Sequence, residues 1–579
     1  MIINISVLDQ IMKLKQIFLL VFFWICFQQA PFAQNLISNN LLLQEFLRRE
    51  QMLNENGDGI SPSFNLRPFN LPSSYNDEFF HFKNSSKKRE DGTSRIGWGI
   101  LPMVHRLNFN SNRPYGWGDG PMIPNKGLQY YGTLGFYSKV FFFNIQFQPE
   151  FVFAQNLPYQ GFSADFDSEV IRSRFRFFNA GDYPERFGEN GFTSFSWGQS
   201  KFTAQFGAFE AGVSTQNIWW GPGQWNALIF SNNAQGFPHL TINTVKPAKT
   251  FLGNFEGQIL SGRLENSGFS PTQNDALNDT YFRQFSGDWR YLNAINISYN
   301  PKWIPGLFLG ATRTYQQYNA GRGNAFSDYF PIFNVITKES VFEETGNSLD
   351  FDNEGRDQQI SVYGRFLSKK AKTELYFEFG RRDHSFNWRE AVLNPEHARA
   401  YLVGFNKIFS LPNNGKFIQV RGEITHQQES VNRYIRYAGL LGGLSWHTHT
   451  RARGFANYGQ AMGVGIGTGS NVQTIEVSMV EKFNKIGILF ERLENHQDFY
   501  FRAFGQQNER QPWIDFSMGF LFDKQWNNLI LSSKLQFING KNYQWQLDPS
   551  STPEFPKGEN LFSVHARTSI IYIFNKPLK

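Results

Sequence analysis

Polar and apolar side chains alternate residue by residue in stretches spread over most of this chain, and a period of two commits such stretches to β-structure. In Phe143-Asn144-Ile145-Gln146-Phe147-Gln148 the two phenylalanines and the isoleucine fall on one face and three amides on the other. Thr373 to Phe379 sets Leu375, Phe377 and Phe379 against Glu374, Tyr376 and Glu378, and Ile418 to Ile424 and Leu529 to Phe537 repeat the pattern. Beyond the first few dozen residues no run approaches the roughly 20 apolar residues of a spanning helix. The 63 Phe, 22 Tyr and 14 Trp are therefore interleaved with polar residues. A soluble sandwich alternates as well, but a chain of 579 residues this rich in aromatics reads as a transmembrane barrel, apolar outside and polar inside.

The N-terminal residues point to export. Met12-Lys13-Leu14-Lys15 opens a basic region, Gln16 to Phe27 is apolar, and Ala30-Pro31-Phe32-Ala33 precedes a cleavage point before Gln34. Residues 1–33 thus read as a secretory signal peptide, with Met12 a candidate for the true start; a membrane anchor is the rival reading, for which the apolar stretch is short. Cys26, the one cysteine, lies inside this segment, so cleavage leaves a chain without disulfides, thiolate catalysis or cysteine-ligated zinc. An exported chain of alternating strands is expected in the outer membrane of a diderm bacterium.

Three segments follow from this reading: the signal peptide, a periplasmic helical segment with its linker over 34–94, and the barrel over 95–579. Apolar residues at three- and four-residue spacings predict a short amphipathic helix within Asn35 to Met52. Asn54 to Gly59 has the start of a calcium-loop pattern, but the twelfth position is Asn65 and not the bidentate glutamate such loops need, so it reads as a solvated turn. Ser85 to Gly92 is a polar linker. The roughly 480 remaining residues, at about 25–30 per strand with its connections, give about 16–18 antiparallel strands. Ser261 to Asp288 and Asn319 to Gly355 suit outer loops, and Val564 to Phe574 reads as a last strand that pairs with the first, since lipid leaves no room for an open edge. A formal net charge of +7 from 56 basic and 49 acidic residues describes a mixed wet surface, not a nucleic-acid footprint.

The densest motif is Asn217-Ile218-Trp219-Trp220-Gly221-Pro222-Gly223-Gln224-Trp225-Asn226, followed by Ser231 to His239 and, further on, Lys246-Pro247. With it go Asn110 to Gly116, Asp182-Tyr183-Pro184-Glu185-Arg186-Phe187-Gly188, Glu396 to Tyr401, Trp446-His447-Thr448-His449 and Gly454 to Gln460. Taken in order over about Asn108 to Arg492, these resemble the Wzi-type capsule assembly family of outer-membrane proteins. The resemblance implies a barrel of 18 strands with helical material near one end, and a non-catalytic, lectin-like role in holding capsular polysaccharide or exopolysaccharide on the cell surface. Expected partners are that polysaccharide, the surrounding lipid including lipopolysaccharide, and the barrel-assembly machinery during insertion; no nucleic acid, metal or cofactor is expected.

Trp219, Trp220 and Trp225 offer apolar faces to sugar rings, and Asn232, Asn233, Arg186 and Arg113 offer hydrogen-bond donors, so these seven are the candidate polysaccharide contacts. The plainer reading puts Trp219 and Trp220 in the interfacial aromatic girdle with Gly221-Pro222-Gly223 as a turn, at most one of the two rings pointing inward. For Asp182, Glu185 and Arg186 the plainer reading is a mutually paired charge network across the lumen. His447 and His449 would share a strand face, but no third metal ligand accompanies them. Gly463 to Ser470 lacks the lysine of a phosphate loop and reads as strand glycines with a tight turn. A diffusion channel, favoured by an open lumen, is the second functional class, and an outer-membrane enzyme acting on lipid or glycan the third.

Overall fold

The computed structural model describes residues 35–36, 41–54, 62–70, 83–84, 96–333, 356–382, 398–412, 415–430, 445–505 and 509–574. The expected signal peptide, the turn after Asn54, the Ser85–Gly92 linker, Glu396–His397 and the tail from Asn575 lie outside them.

Among the described residues, twenty-four strand segments join in one sheet whose paired strands are antiparallel. From Gly253 onward the staves run from 10 to 13 residues, enough to cross the roughly 9–11 residues of bilayer and reach past it. Each pairs with the next, and Leu561–Tyr572 pairs both with Leu529–Lys541 and with Met103–Asn110, where the barrel begins. The first staves are each broken in two, as Ile96–Ile100 and Met103–Asn110, or Phe143–Phe147 and Glu150–Ala154. Pro102 and Pro149 stand in two of these breaks and lack the ladder N–H, while in the neighbouring breaks a Cβ on Gly135 or Gly198 would lie 2.5 Å from a carbonyl oxygen of the next stave. The breaks thus stack beside one another and bend the wall.

The alternation read from the sequence sorts the two faces. Leu375, Phe377 and Phe379 are 53%, 47% and 37% exposed, while Glu374, Tyr376 and Glu378 are buried toward the lumen. At one end the links Phe141–Phe142, Gly207–Ala208, Lys482–Phe483 and Asn527–Asn528 are tight hairpins whose first residue takes a positive φ. At the other end the connections are long, and described stretches of them such as residues 219–226 and 446–465 fold inward, the asymmetry of short periplasmic turns and long outer loops.

A plug enters from the short-turn end. Helix α1 (Leu41–Leu53) starts later than the expected Asn35, because Asn35–Leu36 pairs as a strand with Phe69–Asn70. Its apolar face sets Leu43, Phe46 and Leu47 on Phe483, Ile530 and Ile571. Its polar face meets the inward acids of the wall: Arg48 Nε donates to Glu374 Oε1 at 2.8 Å, and Arg365 Nε reaches the same oxygen at 3.0 Å. At the long-loop end, α2 (Ser168–Phe178) and α3 (Gln497–Phe504) close an aromatic cluster around Phe175, Phe499, Phe504, Trp513, Tyr543 and Trp545.

Three sequence expectations are corrected here. Trp219–Trp220 is not part of the wall: it is a two-residue strand inside the lumen, paired with Leu66–Arg67 of the plug, and both indoles are buried. The two rings still leave the strand on opposite faces, but with protein on both sides neither face meets lipid. Asp182, Glu185 and Arg186 do not pair with one another among the described residues: Asp182 accepts from the Ser267 N–H at 2.6 Å, Glu185 from the Phe162 N–H at 3.3 Å, and Arg186 donates to the Asn156 carbonyl at 2.7 Å. His447 and His449 sit in an inward loop, not a strand, and the Val464 N–H donates to His447 Nε2 at 3.2 Å.

Candidate functional site

The tryptophan motif folds as it does because carboxylates of the wall gather its backbone. Glu423 accepts from three successive amides, those of Gln224 at 2.7 Å, Trp225 at 3.3 Å and Asn226 at 2.8 Å, and Glu378 accepts from Leu228 at 3.1 Å. Gly221 has φ +98°, a conformation that favours glycine, and a Cβ there would lie 2.7 Å from Glu378 Oε2. From the plug side, Arg48 donates to the Pro222 carbonyl at 2.6 Å and Arg67 to that of Gly223 at 3.0 Å, with the Arg67 guanidinium 4.7 Å from the Trp219 ring. Trp220 Nε1 donates to Gln258 at 2.9 Å.

The seven candidate residues are therefore distributed, not assembled into one site. Trp219, Trp220 and Asn232 are enclosed, at 1%, 0% and 0% exposure, and in this arrangement show no ring face or amide to an outside ligand. Arg186 ties one outer loop together. Trp225 lies beneath the Arg421 guanidinium at 4.8 Å and, together with the enclosed Trp219, borders a charged cavity of about 140 Å³ beside the plug. Asn233 and Arg113 border a second cavity, of about 240 Å³, at the long-loop end.

This upper cavity joins residues from six separate outer loops. Arg113 meets Asp515 at 2.6 Å, and its guanidinium lies 5.4 to 5.5 Å from the rings of Tyr115, Trp513 and Tyr543. Asp515 is held in turn by the Trp513 indole N–H at 2.9 Å and the Asn495 amide at 2.9 Å. Tyr159 hydroxyl donates to the Glu185 carbonyl and Tyr543 hydroxyl to that of Gln160, each at 2.6 Å, fixing both rings. Arg174 of α2 completes the lining. Arg174, Tyr159, Trp513 and Tyr543 were not among the sequence candidates, although one signal existed: Val170, Arg174 and Phe178 share a helical face, which puts an arginine in the middle of an apolar stripe.

Burial pushes the Glu185 carboxyl up to about 7, against the pull of Arg174 and of the Phe162 N–H. Burial also lowers Arg174 to about 10, which leaves it cationic at neutral pH. Because the ordinary glutamate value of 4.5 lies below the folded one, the fold favours protonated Glu185. That contribution is fully present below the ordinary value and is lost as pH rises through about 7, at most about 3 kcal/mol. Protease nicking of Gly161–Asp167, just before α2, is expected to increase between about pH 5 and pH 8, and Glu185→Gln to flatten that rise. Equal pH slopes in the two proteins would show that Glu185 does not govern this segment.

A barrel with an apolar outer belt, hairpins at one end, inward-folded loops at the other and a plugged lumen is an outer-membrane β-barrel, and the outer membrane is its location. The chain belongs to the family described as capsule assembly protein Wzi, whose profile matches residues 124–544. No curated protein matches the sequence. Among solved structures it resembles Wzi of Escherichia coli, described as an outer-membrane protein involved in group 1 capsule assembly and a carbohydrate-binding β-barrel. That match has 12% identity over 94% of this chain and 100% of that one, with a TM-score of 0.56, and speaks for the fold. Acinetobacter baumannii OccAB4 matches at 8% identity over 84% of this chain and 99% of that one, and Pseudomonas aeruginosa OprD at 6% over 81% and 92%. Their TM-scores of 0.36 and 0.34 are too low to bear on function.

Proposed function

We propose that this protein binds capsular or other surface polysaccharide at the outer face of the outer membrane and helps attach or organise it there, without catalysis. The observation that carries the reading is the upper cavity: cations and aromatic rings from several outer loops converge at the long-loop end of a barrel from the Wzi family. Aromatic faces and fixed donors are the chemistry that sugar rings, hydroxyls and carboxylates need. Affinity for a repeating polymer then rises by avidity, many weak contacts along one chain acting together. The channel alternative is disfavoured because, among the described residues, the plug and the inward loops occupy the lumen. A signal peptide over 1–33, a plug segment over 34–94 and the barrel over 95–579, inserted by the barrel-assembly machinery into a leaflet containing lipopolysaccharide, complete the proposal.

Deleting the gene is expected to shift surface polysaccharide from cell-attached to released at equal total synthesis. An unchanged ratio would sink the retention role.

A further inference from the structure

Arg174 is a buried cation that makes no ion pair among the described residues, although the Glu185 carboxyl lines the same cavity. It is 4% exposed, and the rings of Phe162, Phe178, Phe499 and Trp545 stand 4.5 to 6.0 Å from its guanidinium. Among the described residues no carboxylate or carbonyl accepts a hydrogen bond from it, and its Nε is buried without a partner. Its neighbour Arg113 shows the contrast, with Asp515 at 2.6 Å. Glu185, the acid nearest in the lining, makes no ion pair with Arg174 and instead accepts the Phe162 N–H.

Aromatic faces offset only part of the cost of taking a guanidinium out of water, and a buried charge without a counter-ion is among the more expensive features a fold can carry. Such a group is what a site for an anion looks like before the anion arrives. The cavity it lines, about 240 Å³, is below the roughly 300–1,000 Å³ of drug-sized ligand sites, so it has room for one sugar residue and not for a length of chain. The rings of Tyr159, Trp513 and Tyr543 line the same space.

We propose that this cavity is a subsite for one acidic sugar residue, its carboxylate paired with Arg174 and its ring carried by Tyr159 and Trp513, with Tyr543 packed behind them. The proposal rests on the polysaccharide-binding reading above and adds the chemical class, a uronate or another carboxylate-bearing unit. Bidentate pairing of guanidinium with carboxylate would discriminate such a unit from a neutral hexose of the same shape.

The test measures binding of methyl glucuronoside, its methyl ester and methyl glucoside, each a single sugar residue, to the purified protein by saturation-transfer NMR, with the organism's own surface polysaccharide as a fourth ligand. The acid is expected to bind about tenfold more tightly than the ester or the methyl glucoside. Arg174→Gln should remove that preference and Arg174→Lys restore part of it. The acid-against-ester comparison in the unaltered protein needs no variant, so a variant that fails to fold does not decide the matter. Equal binding of acid and ester would overturn the carboxylate assignment. Binding of the polysaccharide but of none of the small probes would overturn the cavity as a subsite while leaving the general reading intact. Failure of the polysaccharide itself to bind would remove both.

Discussion

Replacing Glu423 with alanine is expected to cost about 3–5 kcal/mol of barrel stability, because it leaves the amides of Gln224, Trp225 and Asn226 without their acceptor in an enclosed site. Each unsatisfied buried N–H costs roughly 1–3 kcal/mol, and the longer Trp225 contact belongs at the low end of that range. The Tyr376 hydroxyl, 3.0 Å from the same carboxylate, loses its acceptor as well. Glu423→Gln keeps one acceptor oxygen but brings an amide nitrogen against the remaining N–H groups, so it should fall between wild type and alanine. Denaturant unfolding in detergent, followed by the gel shift of the folded barrel, reads the difference. A change of less than about 1 kcal/mol in the alanine variant would mean that the tryptophan loop holds its shape without this carboxylate.

Glu374→Ala is expected to unseat the plug. Arg48 of α1 and Arg365 of the wall share this one carboxylate, with side chains 5% and 0% exposed around a carboxylate that is itself 0% exposed. Removing one member of a buried ionic group leaves the others uncompensated, typically at a cost of about 3–5 kcal/mol. Because α1 also carries the Arg48 contact to the Pro222 carbonyl, loss of the anchor frees the N-terminal segment and the loop that meets it together. In a planar bilayer the variant should show current steps that the unaltered protein lacks. Matching traces at equal insertion would show that the plug is held by other contacts, with the Leu43, Phe46 and Leu47 face the first to examine. Current through the unaltered protein would instead bring the channel reading forward.

The nicking prediction built on Glu185 is smaller, and it separates the long-loop end from the plug. The Glu185 carboxyl lies in the upper cavity, whereas Glu374 acts at the plug, so the two perturbations should leave each other's readout unchanged to a first approximation.

The wall was legible in the sequence because a strand repeats every two residues and a bilayer rewards one face for being apolar. Leu375 and Glu374 declare their sides by position alone. The Val564–Phe574 alternation likewise marked a last strand, and it pairs with the first as lipid requires. The family was legible too, through short motifs kept in order along the chain. The motif roles were not. Trp219 and Trp220 carry the same letters in a girdle, a sugar platform or a plug core, and only the arrival of Leu66–Arg67 beside them makes them plug core. Nor does any local pattern say that Glu423 will gather amides 197 to 199 positions earlier, or that Arg48 will find Glu374 across 326. The sequence by itself determined a barrel wall and its two faces, since periodicity is a local property that the membrane turns directly into orientation. The tertiary structure alone decided what fills the lumen and which residues meet in the upper cavity. Loops have no period, and their contacts exist only once the closed wall brings distant segments within hydrogen-bond reach.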